Sequence, residues 1–380
     1  MADLTISTQR RSGRSRQTVA GWLFVAPVII TLGVFLLVPI LMAAWVSVSD
    51  WGGRGSPFAA GVGFIGAKNY AEALVGKTLA AQDFGLSIRN NFYYVLFVVP
   101  LQTVLSLGLA FMVNKRALKG KGFFRTAFYF PSVTSSVAIT VLWLFLFSTT
   151  GAINGMLGAL SIHGPNWFQD PRGVIHLLFG ATEAPTALSH PGFLGISAWE
   201  WFAGPSVAMV AFILMAVFTT SGTFMLLFLA ALQSIGEETD EAAMVDGASA
   251  WQRFWHVTLP MLRPTLFTVI TLGLIGTWQV FDQIYTGSKG GPGKTTLTPA
   301  YLSYDTAFTQ QNWGRGAAIA FLLFGIIVVF ALLQRWILGD SDPTNPSRSD
   351  RRRDRRATAT SPTTSGTTTK RERPTIGKVD

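Results

Sequence analysis

Apolar residues along this chain do not alternate as in a strand or recur as in a half-buried helix. They gather in long blocks from which charge is missing. Six stretches contain no Lys, Arg, Asp or Glu: 17–49, 90–114, 126–169, 201–236, 264–281 and 316–334. A helix needs about 20 mostly apolar residues to cross the hydrocarbon core of a bilayer. A charge at its centre costs about 2.5–3.5 kcal/mol on insertion scales. The six blocks therefore predict six transmembrane helices and an all-α membrane protein. Four arginines precede the first block, as in a secretory leader. Its apolar run exceeds the ~7–15 residues of a leader's core, which predicts a retained span.

Composition sharpens this picture by exclusion. Hydrophobic residues make up 49% of the 380 and charged residues 13%, against about 25% charged in an ordinary soluble domain. That argues against a soluble enzyme, a disordered chain or a coiled coil. Cysteine is absent, which excludes disulfides, cysteine metal sites and thiol catalysis. There are 4 histidines. His176 and His190 bracket Glu183 without helical spacing, so no metal site is expected.

The net charge of +10 resides mainly at the ends: residues 1–20 and 341–380 carry +8 of it, and the 320 residues between carry +2. A nucleic-acid-binding face needs basic residues clustered on a folded surface, so no nucleic-acid partner is expected. The same charges orient the spans. With the N-terminus inside, segments 1–21, 114–125, 233–264 and 335–380 hold 22 Lys and Arg, and the outside loops hold 8. The positive-inside rule then gives six spans with both termini cytoplasmic.

Three domain segments follow: a basic cytoplasmic tail over 1–20, a membrane domain over 21–339, and a C-terminal tail over 340–380. The last has almost no large apolar residue with which to build a core, so it is expected to be disordered. Its run RRRDRR at 351–356 suits either anionic headgroups or a solvated flank that sets topology. Outside, the stretch over about 170–205 is too broken by proline, glycine, Glu183 and Glu200 to be a seventh span. It predicts an external subdomain or surface-lying hairpin.

The cytoplasmic loop over 233–264 is the most informative segment. Glu237, Glu238, Asp240 and Glu241 crowd the start of a short helix, where negative charge offsets the positive end of the dipole. Gly247 supplies the left-handed conformation that ends it. A second amphipathic segment leads to Leu259 and Pro260, and Pro260 and Pro264 reset the chain before the fifth span. The expected product is a rigid helix–turn–helix lying across the membrane face.

On these residues the chain resembles a known family. Glu241-Ala242-Ala243, three residues, Gly247, nine residues, then Val257-Thr258-Leu259-Pro260 looks like the EAA motif of ABC importer membrane subunits. LKGKGFFRTAFYFPSVTSSVA (118–138), QVFDQIY (279–285) and GGPG (290–293) resemble the sugar-permease branch, the maltose and glycerol-3-phosphate type. The likeness covers roughly 20–338. It departs from the pattern at Gly236, where proline is usual, and at Thr239 and Asp240, often apolar or aromatic. TTSGT at 219–223 lacks a pair some relatives show, and the insertion around 172–204 is long.

The resemblance implies a type I ABC importer transmembrane domain in the bacterial cytoplasmic (inner) membrane. It implies a second homologous permease, a cytoplasmic ATPase dimer and an extracytoplasmic sugar-binding protein as partners. Glu241, Ala242, Ala243, Gly247, Leu259 and Pro260 would form the ATPase-coupling element. This chain would bind no cofactor, ATP and Mg being used by the ATPase. A phosphate loop needs G-x4-GK[ST]; GSKGGPGKTT from Gly287 has one residue too many and lies outside, so it reads as a flexible glycine-rich loop.

Polar side chains within spans are candidates for the solute path. These are Gln279, Asp282 and Gln283 at the outer end of span five, Asn91 and Gln102 in span two, and Phe281 as a ring that a sugar would stack on. Internal Lys and Arg show no excess that would suit a phosphorylated solute, which favours a neutral sugar. Polyol or glycerol-3-phosphate permeases are the alternatives. An ion-coupled secondary transporter would need acids inside the spans, and only Asp282, at an edge, is available.

Overall fold

The computed structural model describes residues 9–75, 78–115, 118–180, 188, 190 and 192–338. The expected disordered tail over 340–380 lies outside them, as does Glu183. Among the described residues the regular structure is helical.

The first span begins as α1 (Gln9–Leu32), passes through a π-helical turn at Gly33–Leu37 and ends as α2 (Val38–Ser47). Helix therefore already covers the part of the basic N-terminal segment from Gln9 onward. None of this span's apolar window is buried within the chain. The short α3 (Lys68–Leu74) precedes α4 (Leu79–Asn114), the longest helix. Thr78 caps α4 by accepting from the Ala81 amide. The helix starts eleven residues before the second charge-free block, with Arg89 inside it. The guanidinium is accommodated because it donates to the Gly204 carbonyl and to Asn90 Oδ1.

The third block does not form one straight helix. α5 (Lys121–Val133) and α6 (Ser136–Leu146) meet at 98°. Pro131 lies near the end of α5, and between the two helices Thr134 is extended and Ser135 non-helical. The sequence reading missed this because the break carries hydroxyls, not charges. Among the described residues five helices are thus long and apolar enough to cross a membrane, and the bent pair is the sixth candidate.

The external segment carries α7 (Ala152–Ala159), α8 (Val174–Leu178) and α9 (Ala198–Phe202). Antiparallel pairing of Gly173 with Ser206 closes the insertion at its root. The described helices of this external segment, of 8, 5 and 5 residues, are too short to cross a membrane. Span four is α10 (Val207–Ser234), capped by Ser206. The cytoplasmic hairpin holds α11 (Glu237–Val245), α12 (Ala250–Arg253) and, after a π-helical turn at Phe254–Thr258, α13 (Leu259–Met261). Span five is α14 (Arg263–Trp278), a break, and α15 (Asp282–Gly287). α16 (Pro299–Tyr304) leads to span six, α17 (Trp313–Leu338).

α10 is the most enclosed span, with 61% of its apolar window buried, and it packs chiefly along α4. The outer core gathers Tyr94, Val98, Met209, Phe212, Met215, Trp278 and Ile284; the inner one gathers Ala110, Val113, Met225, Phe228, Leu229 and Leu262. Lipid tails are as apolar as these side chains, so packing and interhelical hydrogen bonds hold the helices together. Ser106 donates to the Ser221 carbonyl, and Gln334 on α17 reaches Thr271 and the Phe267 carbonyl on α14. Each such bond contributes about 0.6 kcal/mol on average in membrane helices.

Candidate functional site

The cytoplasmic hairpin is built from two local motifs placed end to end. After α11 the Ala248 amide donates to the Ala243 carbonyl and the Gly247 amide to the Met244 carbonyl, both at 3.0 Å. This paired closure demands a left-handed residue, and Gly247 supplies it at φ 79°. Ser249 then caps α12. Its hydroxyl accepts from the Gln252 amide while Gln252 Oε1 accepts from the Ser249 amide at 2.8 Å. The reciprocal bonds of this capping box satisfy two otherwise unpaired donors. Gly236 offers α11 no side-chain cap.

Across the turn Arg253 Nη1 donates to Asp240 Oδ2 at 2.7 Å. Thus Asp240, a departure from the resembled pattern, is engaged within the hairpin. Phe254 meets Phe111 of α4 edge to face at 5.3 Å, anchoring the second limb to the bundle. Glu241 and Ala242 are exposed and Ala243 half-buried. Met244 and Val245 also face outward, Val245 at 88% exposure. Beneath α11 lies a cavity of about 480 Å³ lined by Phe111, Asn114, Ile235, Glu241, Met244 and Thr258. Leu259 and Pro260 are not part of this tip. They form the first turn of the helix that re-enters the bundle.

The second site lies where span five breaks. Phe281 has φ −133° and ψ −60°, outside the helical region, so α14 stops at Trp278 and α15 starts at Asp282. Broken spans free backbone groups that neighbouring side chains or a cavity must satisfy. Here the Trp278 carbonyl accepts from Asn91 Nδ2 and the Val280 carbonyl from Thr298. A cavity of about 290 Å³ opens beside the break, lined by Gln102, Gln279, Phe281, Asp282 and Gln283.

Five of the six pathway residues read from sequence therefore share one wall. The sixth, Asn91, is fully buried and does not line the cavity; it holds the helix end in place. Gln102 Oε1 accepts from Thr220 at 2.6 Å, and its Nε2 has no hydrogen-bond partner among the described residues. Gln283 Oε1 accepts from the Tyr94 hydroxyl at 3.1 Å. Tyr94, Thr220, Thr277 and Ser136 also line the cavity and were missed by the sequence reading. The hydroxyl run TTSGT was the available signal for Thr220.

On the external side the glycine-rich loop is tied to α4 by side-chain contacts. Lys294 Nζ pairs with Asp83 at 2.6 Å, and Asn90 Nδ2 donates to the carbonyls of Lys294 and Leu297. At the root of the insertion, the Arg172 side chain binds both oxygens of Asp170. These bonds hold the Asp170 carboxyl below the usual carboxylate range. His176 stacks on Trp199 with ring centroids 3.9 Å apart. Desolvation, with Arg89 adding repulsion, pulls its imidazole below the ordinary histidine value.

A bundle of membrane helices around a broken span, with an exposed helix–turn–helix between spans four and five, defines a transport permease. Residues 102–339 match the family of binding-protein-dependent transport system inner membrane components, and the chain belongs to that family. It is a multi-pass protein of the inner membrane. It is 32% identical over 332 residues to the lactose transport system permease protein of Rhizobium radiobacter, covering 86% of this chain and 97% of that relative. It is 28% identical over 318 residues to the trehalose/maltose transport system permease protein of Thermococcus litoralis, covering 84% and 93%. The fold matches a solved bacterial ABC transporter that imports the acidic polysaccharide alginate, with TM-score 0.63 at 19% identity, covering 88% of this chain and 99% of that one.

Proposed function

We propose that this chain forms half of the translocation path of an ATP-driven importer for a neutral sugar. Its 237–258 hairpin conveys the work of a separate ATPase. The carrying observation is the rigid exposed hairpin, closed by Gly247, capped by Ser249 and stapled by Asp240–Arg253. Glu241, Ala242 and Ala243 form the face that enters the ATPase. Gly247 sets the angle of that face, and Leu259 and Pro260 connect it to span five. ATP and Mg belong to the ATPase, and this chain binds neither. A second homologous permease supplies the other wall of the path, and an external binding protein delivers the solute.

The solute passes the cavity beside the break, where Gln102, Gln279, Gln283 and Thr220 offer hydrogen bonds and Phe281 an apolar ring. Asp282 is the only charged residue on that lining, which suits an uncharged polyhydroxylated molecule. Sugar permeases among the relatives, for lactose and for trehalose and maltose, support that class. A ligand moves the inward–outward equilibrium only by its differential affinity for the two states.

The test is Glu241→Lys in the assembled complex, reconstituted with its ATPase, partner permease and binding protein. The substitution reverses charge on a helix face exposed in this chain, so folding and membrane insertion are retained and uptake is compared per assembled complex. Uptake should fall at least about tenfold, the equivalent of one charged contact. Uptake equal to that of the unaltered chain would overturn the coupling role.

A further inference from the structure

Three successive residues at the outer end of α4 each grip a different part of the chain. Arg89 Nη2 donates to the Gly204 carbonyl of the insertion at 3.1 Å. Asn90 Nδ2 donates to the Lys294 and Leu297 carbonyls of the glycine-rich loop at 2.8 and 3.1 Å. Asn91 Nδ2 donates to the Trp278 carbonyl, at the edge of the break in span five, at 3.1 Å. The three are joined to one another through the helix backbone and by Arg89 Nη1 on Asn90 Oδ1 at 3.3 Å. Successive residues of a helix point about 100° apart, so one turn reaches three separate neighbours.

All three residues are buried, at 7%, 4% and 0% exposure. Among the described residues no carboxylate lies within ion-pair distance of Arg89: its hydrogen-bond acceptors are neutral oxygens, the Tyr93 ring lies 5.9 Å from the guanidinium, and Glu200 attracts it only from a longer range. Such a buried cation is costly, and bulk packing alone does not require it. The seating of the insertion on α4 is independently close. A side chain at Gly85 would put its Cβ 2.3 Å from the Leu194 carbonyl oxygen, and Ile196 packs there at 2% exposure. About two turns before Asn90, Asp83 also holds the glycine-rich loop, through Lys294.

We propose that Arg89, Asn90 and Asn91 are positioning residues. They link the two external segments to the break beside the solute cavity, so that displacement of either external segment is carried to the end of α14. An external protein landing on the insertion or on the glycine-rich loop then shifts the Trp278 carbonyl and the wall that Gln279 and Phe281 form. The delivery step rests on the importer reading above; the mechanical link does not.

The test is hydrogen exchange on the assembled permease complex in lipid nanodiscs, without binding protein. It compares the unaltered chain with Asn90→Asp and Arg89→Lys. Asn90→Asp keeps the shape and removes the amide donor. Arg89→Lys keeps the charge and removes the fork. The readout is exchange in peptides covering Ile175, Leu297 and Val280, with Ala248 in the cytoplasmic hairpin as control. Either substitution should speed exchange at all three sites by about tenfold, the equivalent of one buried hydrogen bond, and leave Ala248 unchanged.

Faster exchange confined to the segment each side chain touches would overturn the proposal. So would no change, or a rise shared by Ala248, which marks global loosening. A second arm measures ATPase stimulation by the binding protein. The substitutions should lower maximal stimulation with little change in the concentration giving half of it. If the unaltered complex is not stimulated at all, the importer reading fails while the exchange result still decides the link.

Discussion

At the level of single residues, the cavity beside span five depends on what is absent. Gly273 lines it, and a Cβ there would lie 2.4 Å from Gln102 Nε2. Gly273→Val must push the amide off Thr220 or into the cavity. Thr220 keeps the Ala216 carbonyl as a partner, but leaving the Gln102 amide unpaired costs about 1–3 kcal/mol. Uptake should fall about tenfold or more at unchanged yield of assembled complex, measured in proteoliposomes. Full uptake would show that the solute passes elsewhere. Legibility at this scale follows sequence distance. Gly247 was readable because a helix end closes through neighbours. The partners of Arg89 and Asn90 lie 115 and 207 positions away, and Arg89 registered only as the charge that ended a block.

Among elements, the hairpin is where local chemistry and function coincide. The Asp240–Arg253 pair spans its two limbs, with Arg253 largely covered and Asp240 half-exposed. A pair that open to water contributes only about 0.2–1 kcal/mol. Its effect is therefore on the angle of α11 more than on stability. Asp240→Arg places like charges across the turn and should lower sugar imported per ATP hydrolysed. Adding Arg253→Asp should restore the ratio. A double variant no better than the single would mean that Asp240 contacts the ATPase directly.

The root of the insertion gives a pH prediction. Arg172 lowers the folded-state pKa of Asp170 below its unfolded value, which is about 3.9. The pair's stabilisation is then complete at pH above the unfolded value and lost as pH falls through the depressed folded value. Protease cleavage within the insertion should rise over that acid range. Asp170→Asn should cleave faster at neutral pH and lose this dependence. Identical profiles would remove the pair from the account. The bend between α5 and α6 escaped the sequence reading because Thr134 and Ser135 keep their hydroxyls bonded or exposed without any charge to mark the turn.

At the scale of the whole molecule, the first and last spans present large exposed apolar side chains that a bilayer or another subunit would cover. Phe24 is 86% exposed on the first span and Trp336 82% on the last. The absence of cysteine makes orientation directly measurable. A membrane-impermeant maleimide should label Ser56→Cys in intact cells or right-side-out vesicles. It should label Ala250→Cys only in inverted vesicles. Labelling of Ala250→Cys from outside would invert the topology and put the hairpin out of reach of any cytoplasmic ATPase.

The sequence by itself determined the number and placement of the apolar blocks, the orientation expected from their flanking charges, and the helix–turn–helix between the fourth and fifth. Each depends on composition over a short window or on a turn closed by adjacent residues. The tertiary structure alone decided which face of each block was inside. It turned the third block into a bent pair, set Gln102 against Thr220 and Asn91 against the end of α14, and fastened the glycine-rich loop to α4. Those outcomes rest on hydrogen bonds between residues far apart in the chain. In a charge-free helix nothing in the local pattern marks which polar side chain will meet which carbonyl.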